Sequence, residues 1–122
     1  MIKEAYVSFE IAKLLKEKGF DECIFEFYEG DKIKYARNEE GFRLSELPDI
    51  YYPHITHQTA CAWLREQGVY MSIDTVISSS GNIYFNIDTY SKNSGWNHPV
   101  DFHDSYEDAV ETALKYSLEN LI

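Results

Sequence analysis

The chain has 122 residues, of which 44% are hydrophobic and 16% aromatic. It contains 11 Lys and Arg and 21 Asp and Glu, which gives a formal net charge of −10. This aromatic content excludes a collagen-like, mucin-like or wholly disordered chain. The longest apolar run, Ala60–Leu64, is far shorter than the roughly 20 residues that a membrane-spanning helix needs. The negative charge also disfavours direct binding to nucleic acid or to an anionic membrane.

The first half of the chain predicts a helix followed by a β-hairpin. Ser8 is placed to cap the helix, and Gly19 ends it. Cys23, Phe25 and Phe27 alternate with Glu22 and Glu26, which is typical of a half-buried strand, and residues 33–37 form the return strand after a turn. Residues 38–54 contain glycine and proline and predict an irregular connection.

The second half repeats this order. Thr56 can cap a helix that a glycine ends, and residues 69–77 then alternate as a strand. A serine-rich turn leads to the return strand, which begins at Ile83. Residues 91–104 read as an irregular linker, and a third helix opens at Asp104 or Ser105.

The order helix–hairpin–helix–hairpin–helix predicts an α+β fold. We expect residues 1–122 to form a single domain, with a weak internal repeat between 8–37 and 57–90. Because each hairpin is apolar on one side, the two should join into one four-stranded antiparallel sheet with the helices packed on one face. The opposite face should be polar and rich in tyrosine, carrying Tyr28, Lys34, Tyr70, Asp74, Tyr84 and Asp88.

Aromatic side chains in the two irregular segments are the candidate binding residues. Exposed tyrosine and tryptophan are favoured at protein interfaces, because they bury a large area at a small entropic cost. The alternative is that these rings fold back and cover the ends of the core. The candidate residues are Tyr51, Tyr52, Trp96, His98 and Phe102.

Histidines in the same segments allow an alternative, a metal site. Imidazole and carboxylate groups are ligands of zinc and iron, and ligands from two loops can converge. The signal is weak, since the chain has neither His-Glu-x-x-His nor Cys-x-x-Cys, and surface histidines are the better explanation. The ligands of this alternative would be His54, His57, His98, His103 and Asp101.

Other catalytic signatures are absent from the sequence. It has no Gly-x-Ser-x-Gly elbow and no phosphate-binding glycine loop, so neither a serine nucleophile nor a nucleotide cofactor is expected. Cys23 and Cys61 are predicted to be small core residues with reduced thiols, with a bridge between them as the alternative. The charged N-terminal segment is unlike a secretory signal peptide, which predicts a cytoplasmic protein.

Three segments together resemble a family of small uncharacterised proteins from bacterial prophages and other mobile elements. They are Tyr6–Glu10 running into Ala12–Phe20, then Trp63–Glu66, and then Ser105–Ala109. Family members open the middle helix with Pro-Thr-Gln, where this chain has Ile55, Thr56 and His57. The resemblance covers structural motifs and implies a phage-related setting without an activity.

These observations favour a non-enzymatic module that binds another protein, one that carries basic residues. Part of the charge lies near the C-terminus, on Asp101, Asp104, Glu107, Asp108, Glu111 and Glu119. An extreme form of the hypothesis is a nucleic-acid mimic that occupies the basic groove of a DNA-binding protein. The alternatives are a small metal-dependent hydrolase that uses the loop histidines, and a homo-oligomer joined through a sheet edge or through the tyrosine-rich face.

Overall fold

The computed structural model describes residues 2–99 and 102–122. The elements in chain order are α1 (Phe9–Glu17), β1 (Glu26–Glu29), β2 (Lys32–Tyr35), a 3-10 turn (Leu44–Glu46), β3 (Tyr51–Pro53), α2 (His57–Glu66), β4 (Val69–Ile77), β5 (Ile83–Ser91), β6 (Gly95–Asn97) and α3 (Tyr106–Asn120). The chain groups into two compact units, one ending at Thr59 and the other beginning at Ala60, so that the division falls within α2.

The first unit contains a three-stranded antiparallel sheet in the order β2-β1-β3. α1 packs against β3 and buries Ile11, Ala12 and Leu15. The predicted cap of α1 is confirmed, because the Ser8 side chain accepts a hydrogen bond from the backbone N–H of Ile11 at 3.3 Å.

The second unit contains a three-stranded antiparallel sheet in the order β4-β5-β6. One face of this sheet packs against α3, where Ala109 and Ala113 meet the fully buried Ile87. Small alanines on the helix let it approach the strands closely. The cap of α3 is Ser105, which accepts a hydrogen bond from the backbone N–H of Asp108 at 3.0 Å.

The prediction of one four-stranded sheet, with the order helix–hairpin–helix–hairpin–helix, is wrong. Each hairpin instead takes a third strand from a segment that was predicted to be irregular, β3 from residues 38–54 and β6 from residues 91–104. These added strands have three residues each, which is too short for an alternating pattern to show in the sequence.

The tyrosine-rich face also needs correction. In the first sheet Tyr28 pairs with Ile33 and Phe27 pairs with Lys34, so Tyr28 and Lys34 lie on opposite faces. In addition, Cys23 and Phe25 are exposed rather than in the core, because Ile24 between them, which bridges Phe42, is the residue that points inward. Both cysteines are free thiols.

Candidate functional site

The outer face of the second sheet is the surface that carries most of the predicted binding residues. Side chains alternate along a strand, and α3 covers the face that contains Ile73 and Ile87. The other face therefore presents the alternate positions. On β4 and β5 these are Tyr70, Ser72, Asp74, Val76, Tyr84, Asn86, Asp88 and Tyr90.

Three aromatic rings form a row across this face, which we call the aromatic row: Tyr70, Tyr90 and Trp96. They are paired directly by the strand register, and the ring centroids lie 6.4 Å apart for Tyr70–Tyr90 and 5.2 Å apart for Tyr90–Trp96. Tyr70 is 47% exposed and Trp96 61% exposed. The row is thus a preassembled aromatic surface on regular secondary structure rather than in a loose loop.

A tight turn positions Trp96. Ser91, the last residue of β5, contacts the Ser94 hydroxyl through its own hydroxyl and accepts a hydrogen bond from the Ser94 backbone N–H at 3.2 Å. Gly95 then adopts a left-handed conformation with φ of 69°, which a residue without a side chain tolerates. The chain can therefore reverse within a few residues and return β6 beside β5.

A polar row lies next to the aromatic row. Ser72 pairs with Asp88 across the two strands, and the Asp88 carboxylate contacts Nδ1 of His98 just beyond β6. His98 is largely exposed, while Asp88 is about three-quarters covered. The pair can present a hydrogen-bonded carboxylate to a partner, and Asp74 adds a second, exposed carboxylate to the same face.

Phe102 lies at the end of this face that contains Tyr84. Its ring packs edge-on against Tyr84 with centroids 5.9 Å apart, and it remains 64% exposed. Its φ of 64° is unusual for a residue with a side chain. The backbone N–H donates to the Asn86 side chain at 2.8 Å, and the next residue, His103, pairs with Phe85 through two backbone hydrogen bonds of 2.9 Å. The local backbone is thus held in a strained conformation that exposes a large apolar ring.

Tyr51 and Tyr52 lie in the first unit and are half-buried there. Tyr52 packs edge-on against Phe9 of α1 with a centroid distance of 5.1 Å, and the Lys16 ammonium lies 4.5 Å from its ring centroid. Tyr51 contacts Phe27 edge-on at 6.2 Å. For these two tyrosines the structure favours the alternative, in which the rings cover the core.

The histidines of the proposed metal site are divided between the units. His54 and His57 belong to the first unit, and His98 and His103 belong to the second. Within residues 2–99 and 102–122, no group of three or more His, Cys, Asp or Glu side chains could hold a metal ion. Asp101, the remaining ligand of that alternative, lies outside the described residues.

Three of the five predicted binding residues therefore share one surface: Trp96, His98 and Phe102. The sequence reasoning missed Tyr90 and Asn86, which complete it. Both lie at alternate positions of the predicted return strand, between and beyond the apolar residues Ile83, Phe85 and Ile87 that predict it, so the alternation of that strand is the signal that places them on this face. The pairing of Tyr90 with Trp96 depends on β6, which the sequence pattern did not predict.

Comparisons with protein-family models, with curated proteins and with solved structures found no match to this chain. The resemblance to prophage proteins stays a prediction. Among the described residues, none of the helices has the length and apolar character needed to cross a membrane.

Proposed function

We propose that this chain is a non-enzymatic protein-binding module, of phage or mobile-element origin, whose binding surface is the outer face of the second sheet. The observation that carries the proposal is the exposed aromatic row beside the Asp88–His98 pair. The resemblance of three sequence segments to prophage proteins supports the proposed origin.

The aromatic row supplies the apolar contact that a specific complex needs. Tyrosine and tryptophan are enriched among the few residues that contribute most of the binding energy at interfaces. Here the rings of Tyr70, Tyr90 and Trp96 are ordered by strand pairing before a partner arrives, so little conformational entropy is lost on binding.

The charge of the surface selects a basic partner. Asp74 and Asp88 lie on the same face as the aromatic row, and the chain as a whole carries a net charge of −10. Such a field speeds the approach of a positively charged protein and repels an acidic one. We therefore expect the occupant to be a protein segment with arginine or lysine, whose cations stack on Trp96 and Tyr90 and pair with the carboxylates.

The test compares capture of host proteins by the wild-type chain and by matched variants. The first variant, Trp96→Ala, removes the most exposed ring of the aromatic row. The control, Tyr35→Ala, removes an aromatic ring of similar exposure, 66%, from the first unit. Circular dichroism melting establishes that both variants fold.

We expect wild type and Tyr35→Ala to capture the same basic protein from a bacterial lysate at low salt. Trp96→Ala should weaken its affinity by at least about tenfold, as loss of an interface hot spot does. Asp88→Asn should weaken it less and should also reduce its dependence on salt. Equal capture by Trp96→Ala and wild type, or no capture of any basic protein, would contradict the proposal.

Self-association through β4 is a second candidate function. β4 is nine residues long, and among the described residues it pairs only with β5, which leaves an edge with one charged side chain, Asp74. Long edges with few charges can pair with a second copy. Light scattering across a concentration series tests this candidate, and a monomer at the highest concentration would exclude it.

A further inference from the structure

A small pocket is present in the first unit, and none of its lining residues belongs to the proposed binding surface. Its volume is about 260 Å³, and it is lined by the N-terminal segment, the residues around the start of β1 and the residues between β3 and α2. This volume is below the range of about 300–1,000 Å³ that is typical of small-molecule sites, so the pocket suits a group the size of one side chain. The polar side chains that line it are Tyr6, Cys23, Glu26, His54, Thr56 and Thr59.

His54 is the feature of this pocket that requires explanation. Its side chain is 9% exposed, and its Nδ1 atom is buried without a hydrogen-bond partner among the described residues. The closest charged group is the Glu26 carboxylate, whose Oε1 lies 3.9 Å from Nδ1, too far for a hydrogen bond. Most buried polar atoms in proteins have a hydrogen-bond partner, which makes this unpartnered nitrogen unusual.

The surrounding rings fix the orientation of the imidazole. The His54 ring stacks parallel on Tyr6 with a centroid distance of 4.3 Å, and Tyr28 meets it edge-on at 4.9 Å. The Tyr28 hydroxyl is in turn held by a 2.6 Å hydrogen bond to the Val7 carbonyl. These contacts fix the plane of the imidazole ring.

The electrostatics of the pocket favour a cationic hydrogen-bond donor. Burial lowers the pKa of His54, and this effect outweighs the opposite effect of Glu26, so the ring is neutral at neutral pH and can accept a hydrogen bond. The Glu26 carboxylate also raises the pKa of Tyr6 and accepts a hydrogen bond from its hydroxyl. The carboxylate and the imidazole nitrogen are thus two acceptors that lie close together with no donor between them.

We propose that this pocket binds a guanidinium group, which donates to Glu26 and to Nδ1 of His54 and stacks on Tyr6. The two acceptors are 3.9 Å apart, less than twice a hydrogen-bond length of about 2.9 Å, so one donor nitrogen can bridge them once the Glu26 side chain, itself 29% exposed, moves to open the buried Nδ1 to the pocket. Guanidinium is preferred over ammonium because it is planar, weakly hydrated and able to stack on an aromatic ring. Tyr6 is 40% exposed even though it stacks on His54.

Two sources of this chemistry are distinguished by two probes. Ethylguanidinium represents a free small molecule, and the peptide acetyl-Gly-Arg-Gly-amide represents an arginine side chain. Ethylammonium is the comparison that lacks the planar group. The measurement is the ¹⁵N chemical shift of His54 Nδ1, which reports directly whether that nitrogen carries a proton and whether it accepts a hydrogen bond.

We expect Nδ1 of the free protein to have no proton at pH 7.5 and its shift to move saturably with ethylguanidinium, with a dissociation constant of about 1–10 mM. Tighter binding of the peptide would assign the pocket to an arginine side chain, and weaker binding would assign it to a free guanidinium compound. A proton on Nδ1, a non-saturable shift, or equal affinity for ethylammonium would overturn the proposal.

Matched glutamate variants test the carboxylate. Glu26→Gln should weaken ethylguanidinium binding by at least about tenfold, since it removes the charge from the shared hydrogen bond. Glu29→Gln, on the same strand but on the opposite face, should bind like wild type. Equal affinity in wild type and Glu26→Gln would contradict the assignment.

Cys23 provides an independent readout of occupancy. Its thiol is exposed and lines the same pocket, whereas burial raises the pKa of the Cys61 thiol, so iodoacetamide should modify Cys23 first. Bound ethylguanidinium should slow this modification in wild type and not in Glu26→Gln. Equal modification rates with and without the probe in wild type would contradict a guest in the pocket.

The proposed protein-binding function belongs to the other unit, so failure of either proposal leaves the other standing.

Discussion

His54 shows how the burial of one side chain makes the stability of this protein depend on pH. Its folded-state pKa is lowered below the ordinary value, mainly by burial, with Glu26 opposing the shift. The folded state therefore binds the proton less well than the unfolded state does. Stability from this residue is complete above an unfolded pKa of about 6.5 and is lost progressively as the pH falls below that value.

Replacing His54 with phenylalanine should flatten this pH dependence. The variant keeps an aromatic ring between Tyr6 and Tyr28 but removes the titrating group. We expect the midpoint of thermal unfolding to fall less between pH 7.5 and pH 5 in His54→Phe than in wild type. Parallel profiles for wild type and His54→Phe would contradict the assignment.

At the scale of elements, the charges of α3 complement the helix dipole at its N-terminal end and oppose it at its C-terminal end. Glu107 and Asp108 lie in its first turn, where negative charge complements the helix dipole, but its last turn contains no basic residue and Glu119 lies there instead. α3 supplies the helical face on which the second sheet packs, so its stability bears on the position of the aromatic row.

Charge reversal at the two ends of α3 should have opposite effects. Glu119→Lys should raise the free energy of unfolding by about 0.5 kcal/mol, and Glu107→Lys should lower it by a similar amount. Both residues are exposed and both substitutions change the net charge equally, so their difference isolates the helix dipole. Urea denaturation measures both values. Stabilisation of similar size by the two substitutions would indicate that relief of general repulsion dominates.

The sequence predicts the elements of this fold better than it predicts their assembly. The cap of α1 at Ser8, and the cap of α3 to within the pair Asp104 and Ser105, could be predicted because a cap depends on residues within one turn. β3 and β6 could not, since three-residue strands have no measurable period and form only because a longer strand is already present. Without these strands, the sequence pattern offers only the joining of the two hairpins as a way to complete a sheet.

The residues of the candidate site show the same difference between what local sequence predicts and what depends on contacts distant in sequence. The exposure of Trp96 and His98 could be predicted because large or ionisable side chains in a polar segment tend to be exposed. Tyr51 and Tyr52 have the same local character, but Phe9 and Phe27 cover them through contacts that are distant in sequence. The pocket at His54 was not predicted, because Tyr6 and Glu26 reach the imidazole only in the folded first unit.

At the scale of the whole molecule, the net charge of −10 acts on folding and on binding in opposite directions. Repulsion among the carboxylates destabilises the folded state, and salt screens it as the Debye length falls from about 30 Å at 0.01 M to about 8 Å at 0.15 M. The same screening weakens the attraction of a basic partner to Asp74 and Asp88. Salt should therefore stabilise the protein while it dissociates the complex.

Because salt should stabilise the fold and weaken the complex, a salt series distinguishes loss of binding from unfolding. Raising sodium chloride from 10 to 150 mM should raise the midpoint of thermal unfolding by about 2–5 °C, which corresponds to roughly 1 kcal/mol for a domain of this size. A variant with Glu39→Gln and Glu40→Gln, two exposed carboxylates, should gain less, because it has less repulsion to screen. In the capture experiment the partner should be released over the same salt range. A lower unfolding midpoint at 150 mM would show that paired charges, rather than repulsion, dominate the surface, and release of the partner could then be an effect of unfolding.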